Sequence, residues 1–126
     1  MTNAVSAERR SVRALYARLV RSELHPFPRR GPVRHPTRRG VYVIYDARRR
    51  PVHVGRTPRA RGGLAQRLTN HLRGRSSFVR ESLDGDGSRL RRGYAFRHLV
   101  VEDLRKAALL EAYALGRLCP AHIGVG

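Results

Sequence analysis

Two short strand-forming segments joined by a tight turn constrain this chain more than any other feature. Residues 41–46 and 52–55 are rich in β-branched and aromatic side chains, and residues 47–50 between them have the composition of a turn. The two segments therefore predict an antiparallel hairpin. With a four-residue loop, Asp46 pairs with Pro51.

This register brings two ring side chains to one face of the hairpin. Ile44 faces His53 and Tyr42 faces Gly55, so Tyr42 and His53 are diagonal neighbours, roughly 7–8 Å apart between backbones. A phenol and an imidazole so placed can take a proton from water and orient it. Gly55 is expected to leave space there for a substrate backbone. Taken singly, Tyr42 suits a core and His53 a surface; their pairing favours a functional site.

The rest of the chain is predicted from periodicity and turn signals. In order, we expect a helix over residues 5–24, a proline-rich basic linker over 25–39, a helix over 62–73, a polar segment over 76–93 with a loop at 84–88, a strand over 94–101, and a helix from the N-cap Asp103 to about Leu118, stopped by Pro120. This order predicts an α+β fold: a small three-stranded antiparallel sheet flanked by helices, with an extra N-terminal helix. Residues 1–37 would form that helix and the linker, and residues 38–126 the main domain.

The charge of the chain favours a polyanionic partner. Its 126 residues carry a formal net charge of +18, from 26 arginines, one lysine and nine acidic residues. Neutralising phosphates releases their counterions, and arginine binds phosphate through two hydrogen bonds at once, so nucleic acid is the simplest partner. A GC-rich genome would also raise the arginine content. Charge alone does not distinguish a nuclease from a binding protein.

Other classes are disfavoured by what the sequence lacks. It has no run of about 18 apolar residues, so no membrane span is expected, and its N-terminus has no apolar signal region. The single cysteine, Cys119, excludes an internal disulfide framework and makes a structural zinc site unexpected. These features favour a cytoplasmic protein.

The helix over residues 62–73 carries two polar residues on its apolar stripe. Leu64, Leu68 and Leu72 recur every four residues, and Arg67 and His71 fall within the same stripe. An arginine facing the core costs desolvation unless an anion meets it, so Arg67 is expected at the core edge, facing a cleft. The alternative is that its stem packs while its guanidinium reaches solvent.

A carboxylate interrupts the apolar face of the final helix. Leu104, Ala108, Ala112, Leu115 and Leu118 are predicted to form that face. Glu111 lies among them and is the sole carboxylate between Leu104 and Leu118. A half-buried carboxylate requires a cation or a hydrogen-bond donor, and a hard divalent metal ion would satisfy it. A structural ion pair with one of the many arginines is the competing interpretation.

In this order, these parts resemble the GIY-YIG nuclease superfamily. The matching elements are Gly40-Val41-Tyr42, then Val52-His53-Val54-Gly55 followed by Arg56-Thr57, then the Leu-x-x-Arg-Leu-x-x-His pattern from Leu64 to His71, and the glutamate-containing helix ending at Pro120. The similarity covers about residues 38–126. It implies a three-stranded sheet flanked by helices and the hydrolysis of a DNA phosphodiester bond with one Mg²⁺ or Mn²⁺ ion.

The resemblance also implies a role for each matching residue. Glu111 would hold the metal, and Arg67 would bind the scissile phosphate. Tyr42 would be the general base or would position water, with His53 in the supporting role of the second motif's tyrosine. Arg56 would lower the pKa of Tyr42 or touch the phosphate, and His71 would assist the phosphate or the leaving group. The residues expected to bind nucleic acid are Arg56, Arg59, Arg61, Arg73, Arg75 and His122.

Two departures from the family pattern keep a second interpretation open. His53 stands where the family has tyrosine, and His122 lies near the place of a late asparagine. A nucleic-acid-binding module that has lost catalysis is therefore the alternative, and a basic ribosomal or nucleoid protein is a weaker one. No separate recognition domain is evident, so specificity would come from residues 76–93, a homodimer or a partner protein.

Overall fold

The computed structural model describes residues 3–57 and 61–124. Its helices are α1 (Asn3–Arg21), α2 (Gly63–Leu72), α3 (Ser77–Ser82) and α4 (Leu104–Leu118), with a 3-10 helix at Gly87–Arg91, and its strands are β1 (His25–Pro26), β2 (Gly40–Tyr45), β3 (Pro51–Arg56) and β4 (Ala95–Val100). Within these ranges, no helix is both long and apolar enough to cross a bilayer. The predicted α+β class is confirmed.

The sheet has four antiparallel strands, in the order β1-β4-β2-β3, rather than the three predicted. The additional strand β1 lies in the proline-rich segment, where His25 pairs with Phe96 and Pro26 with Ala95. Proline is tolerated there because an edge strand has one side that needs no hydrogen-bond donor. A two-residue strand of this kind leaves almost no sequence signal.

The hairpin has the predicted register except next to its turn. Tyr42 pairs with Gly55 and Ile44 with His53, as expected. The pairing of Asp46 with Pro51 was wrong, because a register shift after Ile44 places Tyr45 opposite Pro51. Asp46 belongs to the turn instead, where its Oδ1 accepts hydrogen bonds from the backbone N–H groups of Arg48 and Arg50, both at 2.9 Å.

Helices cover both faces of the sheet. On one face, α2 and α3 pack against Tyr42 and Ile44 of β2; on the other, α1 and α4 pack against Val41 and Val43. The alternation follows from the two-residue period of a strand. Every residue of β2 is buried, as a central strand covered on both faces requires.

Two predictions about the helices need correction. Residues 76–93, predicted as a polar segment with a loop at 84–88, also contain helices. Ser76 caps α3 by accepting from the backbone N–H of Val79, and the 3-10 helix begins at Gly87, inside the predicted loop. Their buried Phe78, Val79, Leu83 and Leu90 were hidden among polar neighbours. The predicted apolar face of α4 was also wrong: its buried residues are Ala107, Leu110 and Ala114, whereas Leu104 is 51% exposed.

The N-cap and C-terminal end of α4 agree with the sequence. The Asp103 side chain accepts a hydrogen bond from the backbone N–H of Lys106 at 2.9 Å, and the helix ends at Leu118. Helix α1 packs through Leu19 into the same core as α4. The proposed division between residues 37 and 38 remains a prediction.

Candidate active site

The Tyr42 ring lies across the backbone of Gly55 on the neighbouring strand. A β-carbon at Gly55 would clash with the hydroxyl oxygen and Cζ of Tyr42. The glycine therefore accommodates the phenol itself and not, as predicted, a substrate backbone. This contact follows from the register, because Tyr42 and Gly55 are directly paired and point to the same face.

A chain of hydrogen bonds continues from the phenol to helix α3. The Tyr42 hydroxyl lies 2.6 Å from Nε2 of His71, and Nδ1 of His71 lies 2.7 Å from Oγ of Ser76. Ser76 Oγ also accepts from the backbone N–H of Val79. One tautomer satisfies every group: Tyr42 donates to His71 Nε2, and His71 Nδ1–H donates to Ser76.

Burial keeps both members of the tyrosine–histidine pair neutral. It raises the pKa of Tyr42 to about 12, although the nearby positive charge of Arg67 acts in the opposite direction. Burial also lowers the pKa of His71 well below its usual value, and His53 and Arg67 add to the shift. At neutral pH the phenol therefore keeps its proton, and the imidazole has a lone pair to receive one.

Two further histidines, His53 and His122, contact each other beside His71. His53 and His122 meet through their Nδ1 atoms at 3.2 Å, and the His53 ring stacks on Phe78 at a centroid distance of 4.8 Å. Burial, with smaller contributions from His122 and Arg67, lowers the pKa of His53 to about 3. His53 is thus neutral and enclosed, rather than the surface histidine that its type alone suggests.

Glu81 extends this pair to the surface. Its Oε1 lies 3.3 Å from Nε2 of His122, within ion-pair range but not aligned for a hydrogen bond. His122 is only 5% exposed, whereas the Glu81 side chain is 64% exposed. His122 therefore contacts His53 inside the protein and is not placed on the surface.

Arg67 lies at the edge of the core, as its position on α2 predicts. It is half-buried, and its Nε atom is buried with no hydrogen-bond partner among the described residues. Nε2 of His53 is buried and unpartnered in the same sense. Nε2 of His122 is a third such atom. Buried polar atoms normally have hydrogen-bond partners, so three of them in one cluster indicate a place for a polar ligand.

Glu111 forms an ion pair with Arg56. Nε of Arg56 donates to Oε1 of Glu111 at 3.0 Å, and the two side chains are 33% and 25% exposed. By strand alternation, Arg56 points to the α4 face and Gly55 to the Tyr42 face. Glu111 nevertheless acts electrostatically on Tyr42, raising its pKa. The carboxylate is thus ion-paired, as the competing interpretation held, and its charge also acts on Tyr42.

The donor set at Glu111 suits a weakly held divalent ion. Among residues 3–57 and 61–124, no group of three or more His, Cys, Asp or Glu side chains could hold a metal. Mg²⁺, however, commonly retains several waters and uses one or two carboxylates plus substrate phosphates. A carboxylate that accepts one hydrogen bond still has lone pairs for a cation. Glu111 fits such an ion, in competition with Arg56.

Three of the remaining predicted nucleic-acid-binding residues lie at the surface. Arg61, Arg73 and Arg75 are exposed, and Arg59 lies outside the described residues. Ser76 and Phe78 were missed as members of the site. Ser76, two residues before the apolar pair Phe78-Val79, was recognisable as a possible helix cap. Its contact with His71, however, depends on tertiary packing.

Comparisons with known proteins support the fold. No protein-family model matches the chain, and no curated protein does. Among solved structures, the chain is similar to the GIY-YIG N-terminal endonuclease domain of UvrC from Thermotoga maritima, bound to magnesium as its catalytic divalent cation. The identity is 22% and the TM-score 0.54, with 73% of this chain and 90% of that chain covered.

Two point mutants of the same domain, also bound to the catalytic divalent cation, give matching results. Their TM-scores are 0.55 and 0.54 at 21% identity, and each comparison covers 74% of this chain and 90% of the other. At such low identity the likeness concerns architecture alone. The chain therefore has a GIY-YIG-like fold.

Proposed function

We propose that this protein is a divalent-metal-dependent DNA endonuclease that hydrolyses phosphodiester bonds. The observation that carries the proposal is the buried 2.6 Å hydrogen bond between the Tyr42 hydroxyl and His71 Nε2, beside the half-buried Arg67. A neutral phenol bonded to a neutral imidazole next to a fixed guanidinium suits proton removal from water close to a phosphate. The excess positive charge supports DNA as the substrate.

Arg67 is proposed to bind the scissile phosphate. A guanidinium can donate to two phosphate oxygens and oppose the charge that develops in the transition state. Its unpartnered Nε provides one such donor. Since Arg67 is already held beside the rings by α2, little reorganisation is needed when the phosphate arrives.

Tyr42 and His71 are proposed to pass a proton between them. Water gives a proton to the phenol oxygen while the phenol proton moves to His71 Nε2, so no free phenolate forms. The resulting hydroxide attacks phosphorus as the bond to the 3′ oxygen breaks; that oxygen takes a proton from solvent, and His71 then returns its proton to solvent. Because burial lowers the pKa of His71 well below its usual value, the negative charge of a bound phosphate would have to favour the protonated imidazole while the proton is there. His71 thereby takes a different role from the phosphate or leaving-group contact expected from the sequence.

His53 and His122 are proposed to hold His71 in position for this proton transfer. His53 packs against both His71 and Phe78, and its Nδ1 contacts that of His122. His53 would thus replace the second motif's tyrosine as a positioning residue. With His122 buried, positioning is a better proposal for it than a direct phosphate contact.

Glu111 is proposed to hold the metal, with Mg²⁺ or Mn²⁺ as the ion. Such an ion supplies charge neutralisation at the leaving oxygen. Arg56 shares the carboxylate in the free protein and would turn to a DNA phosphate when one is present. The half-exposed pair leaves room for that exchange.

A catalytically inactive DNA-binding module is the second candidate. The observation that favours it is the Arg56–Glu111 ion pair, because a guanidinium already neutralises the carboxylate. The two candidates differ in whether any metal-dependent product forms, since both predict salt-sensitive binding.

The test is cleavage of supercoiled plasmid with Mg²⁺, with Mn²⁺ and with EDTA. Tyr42→Phe removes the hydroxyl and keeps the ring, so we expect a loss of about 10²–10⁴ in rate with DNA binding retained. Tyr45→Phe is the matched control, since Tyr45 lies on the same strand but faces the other core. Equal cleavage by both variants would overturn the proposed role of Tyr42, and metal-independent or absent cleavage by wild type would favour the binding module.

A further inference from the structure

The proline-rich segment is firmly attached to helix α2. The backbone N–H of Val33 donates to Thr69 Oγ1 at 3.0 Å, and that hydroxyl donates back to the Val33 carbonyl at 3.3 Å. Both residues are buried. We call residues 31–37 the strap, because these paired bonds hold it along the helix.

Both ends of the strap are tied down as well. The backbone N–H of Ala65, in the first turn of α2, donates to the Pro36 carbonyl at 2.8 Å. At the other end, Nη1 of Arg91 donates to the carbonyls of Pro28 and Gly31, both at 2.9 Å. The strap is thus a fixed wall and not a loose linker.

A groove runs between the strap and α2. It consists of two adjoining cavities of about 320 and 150 Å³ that share Pro32, Thr69 and Arg73 as lining residues. Arg34 lines the larger cavity and Arg91 the smaller one. None of the described lining residues is acidic. We call this feature the basic groove.

Two of its arginines are available to a ligand. Arg34 and Arg73 are exposed, and neither side chain has a hydrogen-bond or ion-pair partner within residues 3–57 and 61–124. By contrast, Arg38, Arg56 and Arg105 each pair with a carboxylate. Unpaired guanidiniums on opposite walls of a groove form a site for a linear polyanion.

The basic groove and Arg67 lie on different sides of helix α2. At 100° per residue, the groove residues Thr69 and Arg73 are about 140° from Arg67, with the exposed or half-exposed Gln66 and Asn70 between them. Across a helix about 10–12 Å in diameter, this is an arc of roughly 13 Å. That arc corresponds to on the order of two to four nucleotides of backbone.

We propose that the basic groove binds the phosphate backbone of the DNA on one side of the cleavage position, two to four nucleotides from the scissile phosphate. The strand would leave Arg67, cross α2 over Gln66 and Asn70, and enter between Arg34 and Arg73. This inference rests on the proposed function for its substrate, and it adds a second contact surface that sets the register of the strand.

The test removes the two free charges. In Arg34→Gln/Arg73→Gln, we expect weaker binding to a DNA duplex and a slope of log Kobs against log salt reduced by about 1.8, or 0.9 for each lost phosphate contact. The matched control is Arg10→Gln/Arg21→Gln, which removes the same charge from the exposed face of α1. Because none of these four side chains has a described partner, melting temperatures should stay at the wild-type value.

Neutral linkages in the DNA locate the contact. A methylphosphonate two to four nucleotides from the cleavage position should weaken wild-type binding, and should cause no further loss in the groove variant. Equal losses in the groove and control variants would overturn the proposal, as would groove dependence seen with an RNA duplex and not with DNA. If the wild-type protein never cleaves DNA, but the groove variant binds DNA more weakly than the control variant does, the basic groove is upheld and the nuclease proposal is refuted.

Discussion

The two faces of the sheet differ in the charge of the side chains that lie next to strand β3. On the α2 face, Tyr42, His53 and His71 are buried and neutral, because desolvation opposes their charged forms. On the α4 face, Arg56 and Glu111 are charged and partly exposed. The comparison teaches that one edge strand separates rings that burial keeps neutral from an ion pair that is in contact with solvent.

Removing the carboxylate should have the largest effect. For Glu111→Gln we expect metal-dependent plasmid cleavage to fall by at least about 10³, because the amide is a poor ligand for a hard divalent ion. The structure predicts little loss of DNA binding, which filter binding would measure. Glu102→Gln is the control, since Glu102 is exposed and paired with Arg38. Cleavage retained in Glu111→Gln would place the metal elsewhere and break the contrast between the two faces.

The buried histidines should make the free energy of unfolding depend on pH. His53 and His71 have depressed pKa values in the folded protein, so the unfolded chain binds more protons as pH falls below about 6.5. Their contribution is fully present above that value and is lost toward lower pH, until the folded pKa is reached at about 3 for His53. We expect a slope of up to about 1.4 kcal/mol per pH unit for each histidine.

Urea unfolding between pH 7.5 and 5 would measure this slope. His53→Gln should reduce it by the share of one histidine, whereas His35→Gln is the control, since His35 is exposed. A stability that is flat over this range would show that the rings are more hydrated than their burial indicates.

Separating the charged pair should have the smallest effect. Arg56→Gln removes the guanidinium that competes for Glu111, so we expect the free protein to bind Mn²⁺ several-fold more tightly, measured by electron paramagnetic resonance without DNA. A half-exposed ion pair is worth about 1 kcal/mol, which sets this scale. Arg38→Gln is the matched control, because its ion pair is with Glu102. Unchanged or weaker Mn²⁺ binding would mean that Arg56 does not compete with the metal.

Local patterns predicted the parts of this molecule that depend on neighbours in sequence. The pairing of Tyr42 with Gly55 was predicted although the turn length was wrong, because the register shift lies between Ile44 and Tyr45. The edge position of Arg67 followed from helical periodicity. The pattern failed on α4, where alanines and leucines occur all round the helix and do not define one buried face. The buried side proved to be that of Leu110 rather than that of Leu104.

The ring cluster could not be predicted because it unites distant segments. His53 and His122 are 69 positions apart, and their contact depends on the chain after α4 returning to β3, where His122 N–H donates to the Val52 carbonyl at 2.9 Å. The hydrogen bond from His71 to Ser76 likewise requires α2 and α3 to be folded. Such contacts depend on packing, which residue types alone do not specify.

The glycine beneath Tyr42 has a consequence for how accurately the site is built. A phenol that rests on main chain is located by the strand itself, whose atoms are held by hydrogen bonds on the β2 side. Side chains can adopt other rotamers, but a paired strand has no such freedom. Because Gly55 has no β-carbon, the Tyr42 ring rests directly on the main chain of β3. The rigidity of the sheet therefore fixes the position of the Tyr42 hydroxyl.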